Sequence, residues 1–434
     1  MAERLNLGID FGTSNSSVGV VQNEKTRILE VEKGRQSQPS SIFIRADGYY
    51  STGFDSLSDF ISTEAKTDTF HFVPSIKPGL PLDYYEGISL RSTRRDTEGA
   101  LPIKFFGVEE MASFVISNLR QKAESQLQSY SENVVLGRPV EFSPDPQKDT
   151  LAQNRLEEAA KLAGFSSVQF VLEPIAAALY YERSRPNSES RNVFVFDFGG
   201  GTLDTCVLEL RPSERISQNS LNSQVLASHG IMLGGNDLDK DIFARRYLNF
   251  FGKDVKWGEK RLPMPTHIFN EIPEWHLVDQ LRKSEMFGFL REVTRDCTDP
   301  EAIKRLTTSI QEQQVFAILQ SVEQAKIALA SYNSTRVKYD FKDIHINDPI
   351  TRKEFENMVA NRRTDIQRCI EECLNRAQLK PEEVDAVLKV GGSSNNRFID
   401  NILKSNFQTK IEDDNVFTSV VAGLSIAASE FFEG

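Results

Sequence analysis

Two stretches of the chain alternate between apolar runs and small polar turns in the same order. Leu5 to Val21 reads LNLGIDFGTSNSSVGVV, and Asn192 to Leu208 reads NVFVFDFGGGTLDTCVL. Each predicts an apolar strand ending in Asp-Phe-Gly, a turn of small residues and a second apolar strand. The shared Asp10 and Asp197 lie 187 positions apart. A repeat at that distance predicts two similar lobes rather than a solenoid, whose period is far shorter. Elsewhere the pattern takes the helical period. Glu109 to Leu127 carries Met111, Phe114, Val115, Asn118 and Leu119 near one stripe. Leu151 to Ala163 predicts a helix stopped by Gly164, and Glu173-Pro174 opens another over Ile175 to Arg183. Glu301 to Leu329 predicts one long helix or two. Thr351 and Glu354 form a capping box for a helix running toward Ala377. Val384 to Val390 predicts a strand, and Val416 to Phe431 a closing helix. Alternating strands and helices put the chain in the α/β class. The polar stretch Ser184 to Ser190 marks the boundary between lobes. Gly252 to Pro273, rich in Pro, Trp and basic residues, reads as an insertion.

The length of 434 residues suits several compact units. With 39% hydrophobic and 26% charged residues the composition is that of a folded protein, so disorder is not the default. A formal net charge of −11 argues against a nucleic-acid backbone binder, which displays a basic face. The N-terminus lacks a signal-type apolar run, and nowhere do 18 apolar residues follow one another, so no membrane span is expected. The four cysteines, Cys206, Cys297, Cys369 and Cys373, are sparse, which fits a reducing cytoplasm. Cys369 and Cys373 stand four apart on a helix and could chelate a metal. Two half-buried thiols is the preferred reading, because no His or third Cys lies nearby.

The repeated turns carry the chemistry. Gly12, Gly199, Gly200 and Gly201 let the backbone turn tightly and leave no Cβ between amide and ligand. Successive amides in such turns converge on an anion, and Thr13, Ser14 and Thr202 add hydroxyl donors. Carboxylates repel phosphate, so Asp10 and Asp197 suit instead a hydrated Mg²⁺, which keeps waters and takes one or two carboxylates. One Asp-Gly turn also makes a plain hairpin; two facing copies favour phosphate binding. Gly234-Gly235 and Gly391-Gly392, each at a strand-to-helix junction, add amides at positive helix ends. Either pair alone would suggest only close backbone packing.

Six segments in order resemble the heat-shock-protein-70 (DnaK-like) family over nearly the whole chain. They are GIDFGTSNSSVGVV, FVLEPIAAALYYE, VFVFDFGGGTLDTCVLEL, HGIMLGGNDLDKDIF, SVEQAKIALAS and VLKVGGSSNNRF. GRPVEF at Gly137 to Phe142 looks closest to the shortened YegD-like branch. The resemblance implies an actin-like ATPase fold, two ribonuclease-H-like lobes with a nucleotide cleft between them. Lobe I would be residues 1–186 with the closing helix 416–434. Lobe II would be 187–415 with an insertion near 250–315, and no peptide-binding domain is expected. The cofactors implied are ATP or ADP with Mg²⁺, the activity slow ATP hydrolysis, and the partners the nucleotide and a protein partner or co-chaperone.

Residue by residue, the resemblance assigns Gly12, Thr13, Ser14 and Asn15 to the phosphates from one side, and Gly199, Gly200, Gly201 and Thr202 from the other. Asp10 and Asp197 would bind the metal through water. Lys77, in PSIKPGL, would steady the γ-phosphate and attacking water; Glu173 would place the metal-bound water, and Thr202 and Asp204 would line the same cleft. Gly234, Gly235, Glu323, Lys326, Gly391, Gly392 and Ser393 would surround ribose and adenine. On residue chemistry alone Lys77 could equally be an exposed loop lysine, Glu173 a helix-start carboxylate, and Glu323 with Lys326 a surface ion pair. The chain departs from the family at Ile327, Ala330 and Asn395, where arginine, serine and arginine are usual. Losing an arginine against the base removes roughly 0.5–2 kcal/mol of cation–π attraction. Two other functions fit the same segments: a small-molecule kinase using Asp204 or Asp237 as base, or a nucleotide-sensing scaffold without turnover.

Overall fold

Both echoing segments fold as antiparallel hairpins in a computed structural model, which describes residues 5–32, 34–63, 70–91, 103–184, 190–210, 225–274, 281–413 and 418–432. Strand Leu5–Phe11 pairs with strand Asn15–Gln22, setting Asp10 opposite Ser17. Strand Arg191–Phe198 pairs with strand Leu203–Leu210, setting Asp197 opposite Asp204. Leu7, Ile9, Phe11, Val193, Val195 and Phe198 are buried. These strands carry near-continuous apolar runs because both of their faces are covered.

The two sheets are wired alike. In one, Leu5–Phe11 is flanked by its hairpin partner and, in parallel, by Ser131–Arg138, which pairs in parallel with Ser167–Leu172. In the other, Arg191–Phe198 is flanked by its partner and, in parallel, by Ala386–Val390, which pairs in parallel with Ile411–Glu412. Helices make the crossovers between the parallel strands, as such connections require. Each sheet's final helix then packs on the other sheet. Helix Glu173–Ser184 lies on Arg191–Phe198 and Leu203–Leu210, and helix Ser419–Phe432 lies on Leu5–Phe11 and Asn15–Gln22.

Where these two helices cross, small residues let their backbones touch. A Cβ added at Gly423 would sit 1.7 Å from the Ala176 carbonyl oxygen, and one at Gly8 only 2.3 Å from the Ser425 nitrogen. Ala427, Ala428, Ala177 and Ala178 are buried at the same core with Val195, Leu208 and Leu388.

The chain divides into two compact units. The first comprises Met1–Gly235, Asp365–Asn395 and Ile399–Gly434, and contains both sheets. The second comprises Asn236–Thr364 and Asn396–Phe398. Within it, hairpin Ser334–Phe341 with Ile344–Thr351 stands beside helices Pro300–Gln311 and Val315–Ser331, and helix Ser284–Arg295 packs on Pro300–Gln311. Arg246 forks onto Asp348 at 2.7 and 2.8 Å, and Arg362 onto Asp241 at 2.6 and 2.9 Å. Bidentate pairs of this kind fix geometry as well as adding energy.

Several boundaries differ from expectation. The helix expected from Leu151 starts at Pro146, capped by the Asp145 carboxylate accepting from the Gln147 amide; Pro at the first helical position is pre-set for it. The long segment 301–329 is two helices, broken where Gln313 takes a positive φ of 53°. The capping box at Thr351 is present, yet its helix ends at Met358 and a new one, Ala360–Ala377, begins after Val359. The strand expected from Val384 begins at Ala386, after a 3₁₀ turn at Pro381–Glu383. The segment read as irregular, Gly252 to Pro273, contains a short hairpin, Lys256–Trp257 with Leu262–Pro263, and helix Thr266–Glu271. Of the boundary stretch 184–190, residues 185–189 lie outside the described residues, as does 416 at the start of the closing helix. Among the described residues no helix is long and apolar enough to cross a membrane.

Candidate functional site

All four glycine turns, the two of the hairpins and the pairs Gly234-Gly235 and Gly391-Gly392, come together in the first unit. The Gly199 amide donates to the Thr202 carbonyl at 3.0 Å, closing the second hairpin turn, and the Gly235 amide donates to Gly199 at 2.9 Å. A Cβ at Gly201 would stand 2.8 Å from Thr13 Oγ1, so the two hairpin turns face each other at van der Waals distance. A Cβ at Gly234 would stand 2.3 Å from the Gly200 carbonyl oxygen. Gly391 takes a φ of +79°, and a Cβ there would meet Phe198 O at 2.4 Å and Asp197 Oδ1 at 2.6 Å. Any side chain at these positions would fill the cradle. Gly392 and Ser393 follow on the 3₁₀ turn Gly392–Ser394.

Around the turns lies a cluster of acids with one ammonium. Lys77 Nζ donates to Glu173 Oε1 at 2.6 Å, and both side chains are nearly buried. Lys77 opens the one-turn 3₁₀ helix Lys77–Gly79, and the preceding Ser75 hydroxyl donates to the Thr13 carbonyl, tying this loop to the first hairpin. Glu173 begins its helix at the end of strand Ser167–Leu172, where a Cβ at Gly137 on the neighbouring strand would lie 3.2 Å from Glu173 Cγ. The exposed-loop reading of Lys77 yields to this buried pair, and Glu173 is both the helix-start carboxylate and its partner.

Burial, then Glu173, pushes the Asp10 carboxyl up to about 7, against the pull of Lys77. Burial and Glu173 likewise raise Asp204 to about 7, although the Thr202 hydroxyl and the Val140 amide, 2.7 Å away, oppose the rise. Asp197 is held well above the usual range by burial, Glu173, Asp204 and Asp10. For Lys77 burial works against the charge, but Glu173, Asp10 and Asp204 outweigh it and raise its pKa. Four carboxylates thus share one ammonium, an excess of negative charge in a low-dielectric place. Among the described residues no three His, Cys, Asp or Glu side chains converge to hold a bare ion. Carboxylates spaced in this way, facing turns built for an anion, fit a hydrated Mg²⁺ between them and a phosphate.

The raised carboxyls set a pH dependence. The folded state keeps protons that the unfolded chain releases between about 4 and 7, so these groups make stability fall as pH rises through that window. In EDTA, the Asp204→Asn variant is expected to gain stability over the wild type at pH 8, a gain that shrinks as pH falls toward about 4, by urea denaturation. An equal difference at both pH values would contradict the raised carboxyl at Asp204.

Helix Val315–Ser331 of the second unit places Glu323 half-buried and Lys326 buried. Lys326 Nζ pairs with Asp239 Oδ2 at 2.6 Å, so it is no solvated surface charge, and its acid partner was not foreseen. Burial pushes Asp239 up to about 7 in spite of Lys326. Ile327 is 54% exposed. Cys369 and Cys373 are fully buried thiols, deeper than the half-buried pair expected, and burial pushes them up to about 12 and about 11.

Two supports were not readable from the chain. Arg138 Nη2 donates to both carboxylate oxygens of Asp149 at 2.9 Å, and the Phe142 amide donates to the same carboxylate at 2.6 Å, which holds the 138–142 loop where the Val140 amide meets Asp204. The motif GRPVEF flagged the segment, but a backbone amide leaves no mark in a sequence.

A family model described as "Hsp70 protein" matches residues 6–65, 93–259 and 299–428. The chain is similar to the chaperone protein DnaK of Thermosipho melanesiensis, 26% identical over 409 residues that cover 92% of this chain and 55% of that protein. It is similar to heat shock protein hsp-6 of Caenorhabditis elegans, 24% identical over 406 residues, 89% of this chain and 51% of that protein. It is also similar to the chaperone protein dnaK of Cyanidium caldarium, 26% identical over 421 residues, 93% and 56% of the two chains. The chain spans about half the length of these curated relatives.

Proposed function

This chain belongs to the Hsp70 family and has that family's actin-like α/β ATPase fold, and on that premise we propose that it binds ATP and ADP with Mg²⁺ and slowly hydrolyses ATP. The observation that carries this is the meeting of both hairpin turns with the buried Lys77–Glu173 pair and three carboxylates of raised pKa. Amides and hydroxyls of Gly12, Thr13, Ser14 and Asn15 would hold phosphate oxygens from one hairpin, and Gly199, Gly200, Gly201 and Thr202 from the other. Asp10 and Asp197 would hold Mg²⁺ through its waters; bound there, the ion supplies charge neutralisation for the phosphates. Lys77, oriented by Glu173, would present its ammonium to the γ-phosphate, where negative charge grows during transfer to water. Gly234, Gly235, Gly391, Gly392 and Ser393 are proposed to approach sugar and base. The roles of Glu323 and Lys326 toward the nucleoside are proposed on the same footing, as are lobes 1–186 and 187–415. A chaperone-related protein partner or co-chaperone that reads the bound nucleotide is likewise proposed.

A second reading has one observation in its favour. Asp204 Oδ2 is buried without a hydrogen-bond partner, and a carboxyl near 7 is suited to act as a base on an acceptor hydroxyl. A panel of sugars assayed for ATP-dependent phosphorylation separates a kinase from a hydrolase.

Mg-ATP or Mg-ADP is expected to raise the melting temperature. At ligand a hundredfold above Kd the stabilisation should reach about 2.7 kcal/mol. If saturating ATP, ADP and GTP all leave the melting temperature unmoved, nucleotide binding is not what this site does.

A further inference from the structure

The loop that carries Lys77 is short of amide donors. Pro78 and Pro81 have no N–H, so the segment from Lys77 to Leu82 presents six carbonyls but only four amides. Helix Pro146–Leu162 supplies what is missing. Arg155, on that helix, points its Nη1 at this loop and donates to Leu80 O and Leu82 O, each at 3.0 Å, with Gly79 O at 3.5 Å. The loop's own bonds are Gly79 N to Ile76 O, Leu80 N to Lys77 O, Leu82 N to Gly79 O and Tyr85 N to Leu82 O, and among these none reaches the Leu80 carbonyl. Two turns further back on the same helix, Lys148 pairs with Asp83 at 3.4 Å. Ile76 and Leu80 are fully buried on either side of Lys77, so a shift of this loop carries the lysine with it.

We propose that Arg155 is a positioning residue for Lys77: its guanidinium closes the Pro-rich turn, and that turn fixes where the Lys77 ammonium stands. This rests on the hydrolysis proposed above for its kinetic consequence, but not for its geometric one. The Arg155 guanidinium donates to Gly79, Leu80 and Leu82 carbonyls, so among the described residues its influence on Lys77 is indirect.

The test uses the full chain with Arg155→Met and Arg155→Lys, each alone and with Lys77→Met. Arg155→Met is expected to lower kcat for Mg-ATP by about tenfold, since displacement of a reacting group by a fraction of an ångström costs that much. ADP affinity should stay within about twofold, because ADP lacks the phosphate that Lys77 would face. Arg155→Lys, whose single ammonium can serve the same two carbonyls, should recover most of the rate. In the Lys77→Met background Arg155→Met should cost less than about twofold more, since both act through one group. Independently of turnover, acetylation of Lys77 in the nucleotide-free protein should be faster in Arg155→Met and near wild type in Arg155→Lys. Unchanged Lys77 acetylation in Arg155→Met, or a kcat loss of the same factor with and without Lys77, overturns the proposal. A wild type that never hydrolyses ATP, but whose Lys77 is deprotected by Arg155→Met, refutes the hydrolysis and leaves the positioning supported.

Discussion

Replacing Lys77 with methionine is expected to lower kcat for ATP by on the order of 100-fold, the cost of removing one preorganised donor from a developing charge. ADP affinity should change by less than about threefold, because the ammonium is proposed to face a group that ADP lacks. Methionine keeps most of the stem volume, so the loss is chiefly electrical. The same substitution is expected to cost about 3 kcal/mol of stability in the nucleotide-free protein, since removing one partner of a buried ion pair strands the other. Lys77 Nζ and Glu173 Oε1 stand 2.6 Å apart with little solvent at either. Adding Glu173→Gln to Lys77→Met should therefore restore much of the stability and none of the rate. Urea denaturation and single-turnover hydrolysis read the two quantities separately. If ADP affinity and turnover fall together, Lys77 is a binding group and not part of the hydrolytic step.

Asp10→Asn and Asp197→Asn should each remove most of the Mg-dependent part of nucleotide binding. The two carboxylates feel each other's charge and end strands whose turns meet at Thr13 and Gly201. If they share one hydrated ion, the double variant costs clearly less than the two single losses added. In EDTA above pH 7 each single variant should melt higher than the wild type, because a buried, mutually repelling carboxylate has been made neutral. Calorimetric titration of ADP with and without Mg²⁺ across the three variants decides the first point. Strictly additive losses would mean that the two aspartates serve different ions or none.

The two hairpins were legible because their signal is local: an apolar run, an aspartate and glycines where a Cβ would collide. Lys77 and Glu173 were named only through the family resemblance; that they touch depends on a contact spanning 96 positions, to which no local pattern points. The pairing of Lys326 with Asp239 was hidden for the same reason, since Asp239 lies 87 positions away, and residue chemistry alone left a surface pair with Glu323 open. The helix beginning at Pro146 was entered late because Asp145-Pro146 sits in a polar stretch whose apolar period starts only at Leu151. The break at Gln313 had no glycine to announce it; a non-glycine residue adopts the left-handed turn there. The exchange of closing helices between the two sheets left only a faint trace, the small residues Gly423, Ser425 and Ala427, whose size has no evident purpose until the backbone they lie against is known.

That exchange has a consequence for how the protein is made. The backbone contact of Gly8 with Ser425 joins positions roughly 400 residues apart, and ribosomes add roughly 5–20 residues per second. The first hairpin therefore leaves the ribosome roughly 20–80 s before the helix that covers it exists. During translation the part of residues 5–22 that helix Ser419–Phe432 covers has no native partner to close on, and contacts of such long range are slow to form even once the partner arrives. For that interval the nascent chain displays an extended apolar strand of the kind that aggregates or is held by other proteins.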